Sequence, residues 1–492
     1  MKSLNRQTAP KSIAPERVIQ FGEGNFLRAF VDWIIWNMNQ RTDFNASVVV
    51  VQPIENGMID ILNGQDGLYH VNLQGRQAGE PVNSMTRIDC ISRGLNPYRQ
   101  FSAFLAVADQ PDIRFVVSNT TEAGIAFDAT CHLNDAPAAS YPGKLTQLLY
   151  RRYRTFQGDP SKGLIIMPCE LIFQNGHHLK ECIFRYIDLW QEELGSDYAG
   201  FREWFTRYNF VCSTLVDRIV PGFPRRDIKD IQERISYADN LVVQGEIFHL
   251  WVIEHAENMT CEDLRNEFPA ERAGLNVLIT DNEAPYHERK VTLLNGPHTV
   301  LSPVAYLSGV DIVRDACNHP VIGAYIHKVQ FDELMQTLNL PMNELTAFAT
   351  DVLERFNNPF VDHQVTSIML NSFPKYKTRD LPGLKTYLER YGVLPQGLVL
   401  GLAAIITYYR GGTRSDGAPI QPNDDPQIMN LLSDLWQTGD VNKISQGVLA
   451  AKDLIWQEHG DLNEIPGLST MLADFLSSIQ QRGMLETVKS IL

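Results

Sequence analysis

The segment "RVIQFGEGNFLRAF" (residues 17–30) constrains the fold more than any other. A short run of apolar and β-branched residues passes through Gly22-x-Gly24 straight into an amphipathic pattern, so a strand gives way to a helix at the two glycines. Glycine at 22 permits a tight turn, and glycine at 24 lets backbone N–H groups approach an anion at the positive end of the helix. In "NFLRAFVDWIIWNMNQ", Phe26, Phe30, Ile34 and Met38 recur every four residues and predict one helix with a single buried face.

The same alternation continues downstream. "RVIQF" (17–21), "SVVVVQP" (47–53), "IRFVVSN" (113–119), "GLIIMPC" (163–169) and "GLNVLITD" (274–281) read as strands. Runs that are apolar on consecutive positions suit strands covered on both faces, and their alternation with amphipathic stretches predicts a parallel α/β sheet. From about residue 286 helical periods dominate, as in "DELMQTLNL", "ELTAFATDVLERF", "QGLVLGLAAIITYYR" and "GLSTMLADFLSSIQQRGMLETVKSIL". A chain of 492 residues exceeds the usual size of one core. The expected architecture is an α/β, Rossmann-like dinucleotide-binding domain over 1–280 and a mostly α-helical substrate and catalytic domain over 281–492.

Lys plus Arg number 43 against 58 Asp plus Glu, a formal charge of -15 with neither sign gathered into a block. That balance argues against nucleic acid or an anionic membrane as partner. The opening "MKSLNRQTAPKSIAPERV" has no apolar stretch of signal-peptide length, and no apolar run approaches the roughly 20 residues of a membrane span, so a soluble cytoplasmic protein is expected. Seven cysteines are scattered without a CxxC pair, which predicts reduced thiols and no metal site.

The candidate cofactor turn comprises Phe21, Gly22, Glu23, Gly24, Asn25 and Phe26. Leu27 stands where the general dinucleotide fingerprint has its third glycine, so the motif rests on its place between first strand and first helix. After the second strand, Glu55 is the candidate for the adenosine ribose hydroxyls, with Gln52 also near the strand end; an acid there favours NAD over NADP. "SNTTEAG" (118–124) puts Asn119, Thr120 and Glu122 at the carboxyl end of a strand, where they either line a ligand crevice or cap a helix.

"RKVTLLNGPH" (289–298) carries the candidate chemistry. If it is helical at about 100° per residue, Asn295 lies about 140° and His298 about 80° around from Lys290, and all three share one side. Pro297 removes a hydrogen bond and predicts a kink at Asn295-Gly296. A lysine among Val291, Leu293 and Leu294 is partly desolvated, which suits it to proton transfer near neutral pH. With Asn295 polarising the same oxygen and His298 binding a hydroxyl, Lys290 completes a metal-independent reductase site. On these residues alone, a snorkelling lysine, an Asn-Gly turn and a core histidine fit as well.

"FGEGNFLRAF" resembles the GxGxFxRA opening of the polyol-specific long-chain dehydrogenases, the mannitol dehydrogenase family, and "TLVDRIVP" resembles its VDRI(T/V)P segment. "KVTLLNGPH" matches that family's lysine, asparagine and histidine, and "RFNNPFVDHQVTSIMLNSFPKYKTRDLP" its C-terminal substrate segment, in order from residue 19 to about 382. The resemblance implies NAD as cofactor, Lys290 as general acid/base, Asn295 as oxyanion partner and His298 as substrate contact. It also implies Asp217 near the substrate and Glu122 near the nicotinamide. "SNTTEAGI", "DAPAASYPGKLT", "PCELI" and "CSTLVDRIV" resemble the hexuronate-reducing members. They imply NADH-dependent, reversible reduction of the keto group of tagaturonate to altronate in hexuronate breakdown. Fructuronate reduction, oxidation of a mannitol-type polyol, and non-catalytic NAD binding stand as alternatives. The expected partner is a small keto-uronate or aldonate, with the chain a monomer or small homo-oligomer.

Two departures from the polyol members matter. Glu170-Leu171 replaces their Asp-Asn pair, which removes an amide from the oxyanion site and leaves Asn175 to compensate or Asn295 to act alone. Ser367 stands in place of an arginine, while "PKYKTR" offers Lys375, Lys377 and Arg379. Lys375, with Arg379, is the expected partner of a uronate carboxylate, against the alternative of a solvated basic loop.

Overall fold

In the computed structural model the consecutively apolar runs lie at the centre of one parallel sheet. Glu16–Phe21, Ser47–Val51, Phe115–Ser118 and Ile165–Pro168 are strands, and every residue of Ser47–Val51 is buried, as coverage on both faces demands. Ile91–Leu95 and the short Phe210–Val211 complete six strands, in the spatial order third, second, first, fourth, fifth, sixth, with all neighbours parallel. That is the doubly wound dinucleotide-binding order, and its winding reverses between Glu16–Phe21 and Phe115–Ser118. The loops that begin at Gly22 and Asn119 leave the sheet at this switch point.

The structure describes residues 1–121, 123–414 and 416–492, and they divide into two units. The first comprises Met1–Gln74 and Val82–Glu283, the second Gly75–Pro81 and Ala284–Leu492. A single cut at 280 therefore differs from the observed division at two places. The hairpin tip Gly75–Pro81 groups with the helical unit, where the Gly79 N–H donates to the Glu354 carboxylate at 2.6 Å. A two-sided turn has no helical period, so nothing in its local pattern assigns it there.

The helix expected over residues 25–40 is two helices, Asn25–Ala29 and Val31–Arg41, because the Phe30 N–H turns back three residues to the Leu27 carbonyl. Its buried face is as the periodicity predicts: Phe30, Ile34 and Met38 are fully buried and Phe26 packs against them. Ile91–Leu95 escaped the sequence reading because Ser92, Arg93 and Gly94 interrupt its apolar run. "GLNVLITD" forms Val277–Thr280, parallel to Leu250–Glu254, which in turn pairs antiparallel with Ser213–Asp217.

In the second unit, Gln396–Tyr408 is buried from Gly397 to Tyr408, as befits a central helix apolar on all sides. Gly296–Leu307 packs on it so closely that a Cβ at Gly401 would stand 2.5 Å from Val300 Cβ. The first amides of the central helix have no partner within it. Glu333 supplies one, accepting from the Gly397 and Leu398 N–H groups at 2.7 and 2.9 Å. Burial lifts this carboxyl to about 7. All seven cysteines are unpaired and five are buried. Among the described residues no helix is long and apolar enough to cross a membrane.

Candidate active site

At the switch point, Gly22 adopts φ +120°, and a Cβ there would lie 2.9 Å from the Asn119 carbonyl oxygen and 3.1 Å from Leu27 Cδ1. Both the left-handed backbone and the close approach of the two loops require glycine. Leu27, in the place of the third fingerprint glycine, fills the space behind the turn and is 1 % exposed. Gly24 precedes Asn25–Ala29 in an extended conformation, with nothing within 4 Å of where its Cβ would be.

The other residues of this turn spend their side chains on the protein. Phe21 is buried against Tyr141 and Phe104, and Phe26 stacks on Phe30 at 5.0 Å. Asn25 Oδ1 accepts from Arg28 Nη2 at 2.8 Å, and buried Glu23 Oε1 accepts from the Met58 N–H at 3.2 Å. Burial pushes the Glu23 carboxyl above its usual range. The main chain, not these side chains, is the part of the turn left to meet a phosphate.

Gln52 is also a loop-shaping residue: its Nε2 donates to the Ile54 and Glu55 carbonyls at 2.8 Å, and its Oε1 accepts from the Ile59 N–H. Glu55 keeps an exposed side chain at the end of this loop. Beyond the fourth strand, Asn119 Nδ2 donates to the Cys169 carbonyl at 2.6 Å. Thr120 gives both its N–H and its hydroxyl to Glu170 Oε1 at 2.9 Å, and Ser118 gives its hydroxyl to Glu170 Oε2 at 3.0 Å. Glu122, expected in the same loop, lies outside the described residues.

Glu170, which replaces an aspartate of the polyol enzymes, is thus a buried anchor for the "SNTTE" loop. Burial raises its pKa, and these donors pull it back down. Of the two alternatives for the amide lost at Leu171, the structure gives Asn175 a place in the backbone framework. Asn175 is fully buried; its Nδ2 donates to the carbonyls of Pro168, Glu170 and Thr214, and its Oδ1 accepts from the Thr214 N–H. Every polar atom of that side chain is consumed in holding strand ends together. Leu171 is 61 % exposed.

Asp217 ends Ser213–Asp217, opposite Leu250, and is 6 % exposed. Its neighbour Arg218, to which the sequence reading gave no role, is structural: the guanidinium donates to the carbonyls of Ala29, Phe248 and Ile247 and lies 4.3 Å from the Trp33 ring centroid.

In the second unit, Lys290 closes the α-helix Ala284–Lys290, Val291–Asn295 is a π-helix, and Gly296–Leu307 resumes the α form. The 100° steps assumed from sequence do not hold here. The Gly296 N–H bonds to the Val291 carbonyl five residues back, so the turn carries extra residue length and brings Asn295 closer to the Lys290 side than 100° steps would. The kink assigned to Pro297 is replaced by this bulge. Pro297 is the second residue of the resumed helix, and the Leu293 carbonyl four residues before it receives Gln330 Nε2 at 2.8 Å instead of a backbone amide. A single inserted residue per turn thus re-aims the side chains without breaking the helix.

Lys290 and Asn295 are half-buried, and the Lys290 charge, after burial, depresses His287. His298 is 8 % exposed, stacked on Phe356 at 3.9 Å and edge-on to His363 at 5.4 Å. Burial first, then the charges of His363, Arg355 and Arg379, holds its pKa well below the usual imidazole value, so the ring is neutral. Its Nε2 is buried without a protein hydrogen-bond partner among the described residues. A neutral ring with an unused nitrogen is suited to a ligand hydroxyl.

Arg379 Nη1 donates to the Thr299 hydroxyl at 3.2 Å, one residue beyond His298, and Lys375 Nζ donates to the Ile368 carbonyl at 2.6 Å. Burial lowers both pKa values, and Arg379 depresses Lys375 further. Lys377 turns to Gln457 and Glu458, and the Ser367 hydroxyl bonds the Gln364 carbonyl. Arg355 and His363, whose charges both reach His298, were missed by the sequence reading although they flank Phe356 in the segment it quoted. Their signal lay in that segment, but only the ring stacked on His298 brings them to the histidine.

Residues 16–265 match the mannitol dehydrogenase Rossmann domain and residues 282–480 the mannitol dehydrogenase C-terminal domain. Altronate oxidoreductase of Bacteroides thetaiotaomicron is 71% identical over 492 residues, covering 100% of both chains. Altronate oxidoreductase of Bacillus subtilis is 44% identical, covering 96% of this chain and 94% of that one. Among solved structures, D-sorbitol dehydrogenase in substrate-free form superposes with a TM-score of 0.78 at 18% identity, over 99% of this chain and 100% of that one. Pseudomonas fluorescens mannitol 2-dehydrogenase, in ternary complex with NAD and D-mannitol, gives 0.65 at 20% identity, over 100% and 99%. With both units covered in order, the chain belongs to the mannitol dehydrogenase family.

Proposed function

We propose that the protein is an NADH-dependent oxidoreductase that reduces the keto group of D-tagaturonate to D-altronate, reversibly, in hexuronate breakdown in the cytoplasm. The observation that carries the substrate assignment is full-length identity of 71% to an altronate oxidoreductase. The π-helix that brings Asn295 closer to the Lys290 side supports the chemistry.

In this reading the first unit holds NAD. The main chain at Gly22 and Gly24 meets the pyrophosphate and Glu55 the adenosine ribose, with Asn119, Thr120 and Glu122 beside the nicotinamide. NADH held there would supply a hydride to the keto carbon. The Lys290 ammonium donates its proton to the developing alkoxide, and Asn295 donates a hydrogen bond to the same oxygen. Since Asn175 is fully committed, Asn295 does this without a second side-chain amide. His298 receives a substrate hydroxyl at Nε2, and Asp217 contacts the sugar acid. An ammonium acid makes a Lewis-acid metal unnecessary for this step. For altronate oxidation the roles reverse, with neutral Lys290 as base.

The carboxylate that distinguishes a uronate from a polyol is read by Lys375 and Arg379, joined by the charge of Arg355. Two arginines whose charges reach a neutral histidine, with Lys375 beside one of them, favour an anionic substrate over mannitol or fructose. The test is NADH consumption with tagaturonate, fructuronate and fructose side by side. Highest kcat/KM for tagaturonate is expected; preference for fructuronate or fructose replaces the assignment, and no turnover with any of them leaves a nucleotide-binding protein.

A further inference from the structure

We propose that His255, Cys261 and Asp281 form a binding site for a zinc-type divalent cation in the first unit. One ligand atom from each lies within 4.8 Å of the others, and nothing in the reductase reading uses them. His255 directly follows Leu250–Glu254 and Asp281 directly follows Val277–Thr280, two strands paired in parallel. Cys261 opens the helix Cys261–Glu267 that connects them.

Two of the three ligands, His255 and Cys261, are held by something other than their neighbours in the triad. The His255 N–H donates to the Thr280 carbonyl at 3.2 Å, which continues the strand pairing to the ligand positions. Cys261 is set by a reciprocal capping box between Thr260 and Asp263. The imidazole is oriented at its far side. His255 Nδ1 lies 2.8 Å from the Ala256 carbonyl oxygen, which can only accept, so Nδ1 carries a hydrogen. That is the outer-shell contact that fixes the tautomer of a metal-ligating histidine and leaves Nε2 with a lone pair.

Without a metal that position is protonated: Nε2 donates to Asp281 Oδ1 at 2.9 Å, and the Cys261 thiol donates to the same oxygen at 3.6 Å. Three electron-rich atoms therefore converge, kept compatible only by a proton on Nε2 and one on sulfur. A divalent cation replaces both protons: imidazolium and thiol each release one, and nitrogen, thiolate and carboxylate bind the metal with water in the remaining position. Tetrahedral zinc with bonds of about 2.0–2.3 Å sets ligand atoms roughly 3.4–3.7 Å apart. The Cys–Asp distance already fits. The His–Asp distance opens by about half an ångström, which the 90 % exposed Asp281 side chain permits. The mixed N, S, O set favours zinc or cobalt over magnesium or calcium.

The full-length protein, stripped with chelator, is titrated with Co²⁺ and with Zn²⁺. Expected are one Co²⁺ per chain with a thiolate-to-cobalt charge-transfer absorption, displacement of that band by Zn²⁺, and a higher melting temperature with Zn²⁺. Cys261→Ser abolishes the band, Asp281→Asn weakens Zn²⁺ binding by at least about tenfold, and Cys317→Ser changes neither. Absence of a thiolate band at saturating Co²⁺, or its survival in Cys261→Ser, overturns the site. Should Cys261→Ser fail to fold, Asp281→Asn decides, because Zn²⁺ affinity equal to wild type in that variant overturns the proposal too.

Discussion

The glycine turn of the first unit and the π-helix of the second commit their polar side chains to different degrees, although Gln20 Oε1 beside the turn also has no partner among the described residues. Around Gly22 the side chains of Glu23, Gln52, Glu170 and Asn175 are tied to neighbouring backbone groups, so that loop shape is settled before any ligand arrives. Around Asn295 the structure keeps polar atoms in reserve: His298 Nε2 and both carboxyl oxygens of buried Asp380 have no protein hydrogen-bond partner among the described residues. Asp380 stands against the bulge itself, its Oδ1 3.0 Å from where a Gly296 Cβ would be, and burial holds its pKa well above the carboxylate range. A loop that binds a constant cofactor through its main chain gains from being complete in itself. A site that changes protonation during turnover needs groups whose partners arrive with the substrate.

The sharpest way to separate the two regions is Lys290→Ala. If Lys290 supplies the proton, turnover falls by about a thousandfold or more, in line with the loss of a general acid, while NADH binding is unchanged. Equilibrium NADH binding by fluorescence and steady-state kinetics on the same preparation check both halves. Turnover within tenfold of wild type removes Lys290 from the mechanism.

Gly22→Ala attacks the other region. The added Cβ meets the Asn119 carbonyl oxygen at 2.9 Å on a backbone of φ +120°, a strain of about 1–3 kcal/mol. NADH affinity should fall by roughly tenfold to a hundredfold, with kcat at saturating cofactor far less affected. A variant that binds NADH as wild type does would show that the turn is structural only.

Asn175→Ala gives a related outcome through a different route. The Thr214 N–H loses its acceptor and three carbonyls lose a donor in a fully buried place, although the Pro168 and Glu170 carbonyls keep the Thr214 hydroxyl and the Ile172 N–H; each group left without a substitute costs about 1–3 kcal/mol. Lower melting temperature with unchanged kcat in the surviving enzyme is expected. A large kcat defect without destabilisation would restore Asn175 as an oxyanion donor.

Much of the first unit was legible because short apolar runs rich in β-branched residues and bounded by turn formers suit central parallel strands, and Gly22 announces a left-handed turn between the first two elements. Ile91–Leu95 was not, since Arg93 and Gly94 hide its period while its backbone still completes the sheet edge. In the second unit, the residues at 290, 295 and 298 were visible but their geometry was not. A π-helix has no composition of its own; here it follows from Pro297 lacking an N–H and from Gln330, more than thirty residues away, taking the freed Leu293 carbonyl. The role of Glu170 was hidden for the same reason, because its partners Ser118 and Thr120 come from another strand.

Lys375→Met tests substrate reading within the second unit. If Lys375 pairs with the uronate carboxylate as proposed, its loss should raise KM for the keto-uronate by about tenfold or more, with little change for a neutral ketose. Equal effects on both substrates would make Lys375, through its bond to the Ile368 carbonyl, a structural residue.

The smallest expected effect concerns pH and the helix core behind the bulge. Glu333 titrates at about 7 in the folded protein against an ordinary value of 4.5. Between those values the folded chain keeps a proton that the unfolded chain has lost, so stability falls as pH rises through that window, by roughly 3 kcal/mol at most. Glu333→Gln keeps one acceptor oxygen for the Gly397 and Leu398 amides, which bond separate carboxylate oxygens, and removes the titration. Whatever the constant offset from the lost acceptor, the variant should gain in melting temperature relative to wild type between pH 5 and pH 8. Asp32, raised to about 7 by complete burial in the first unit, titrates in the same sense and keeps part of the slope in both proteins. The change in the difference between wild type and variant therefore isolates Glu333, and an equal difference at both pH values would mean its carboxyl is charged throughout.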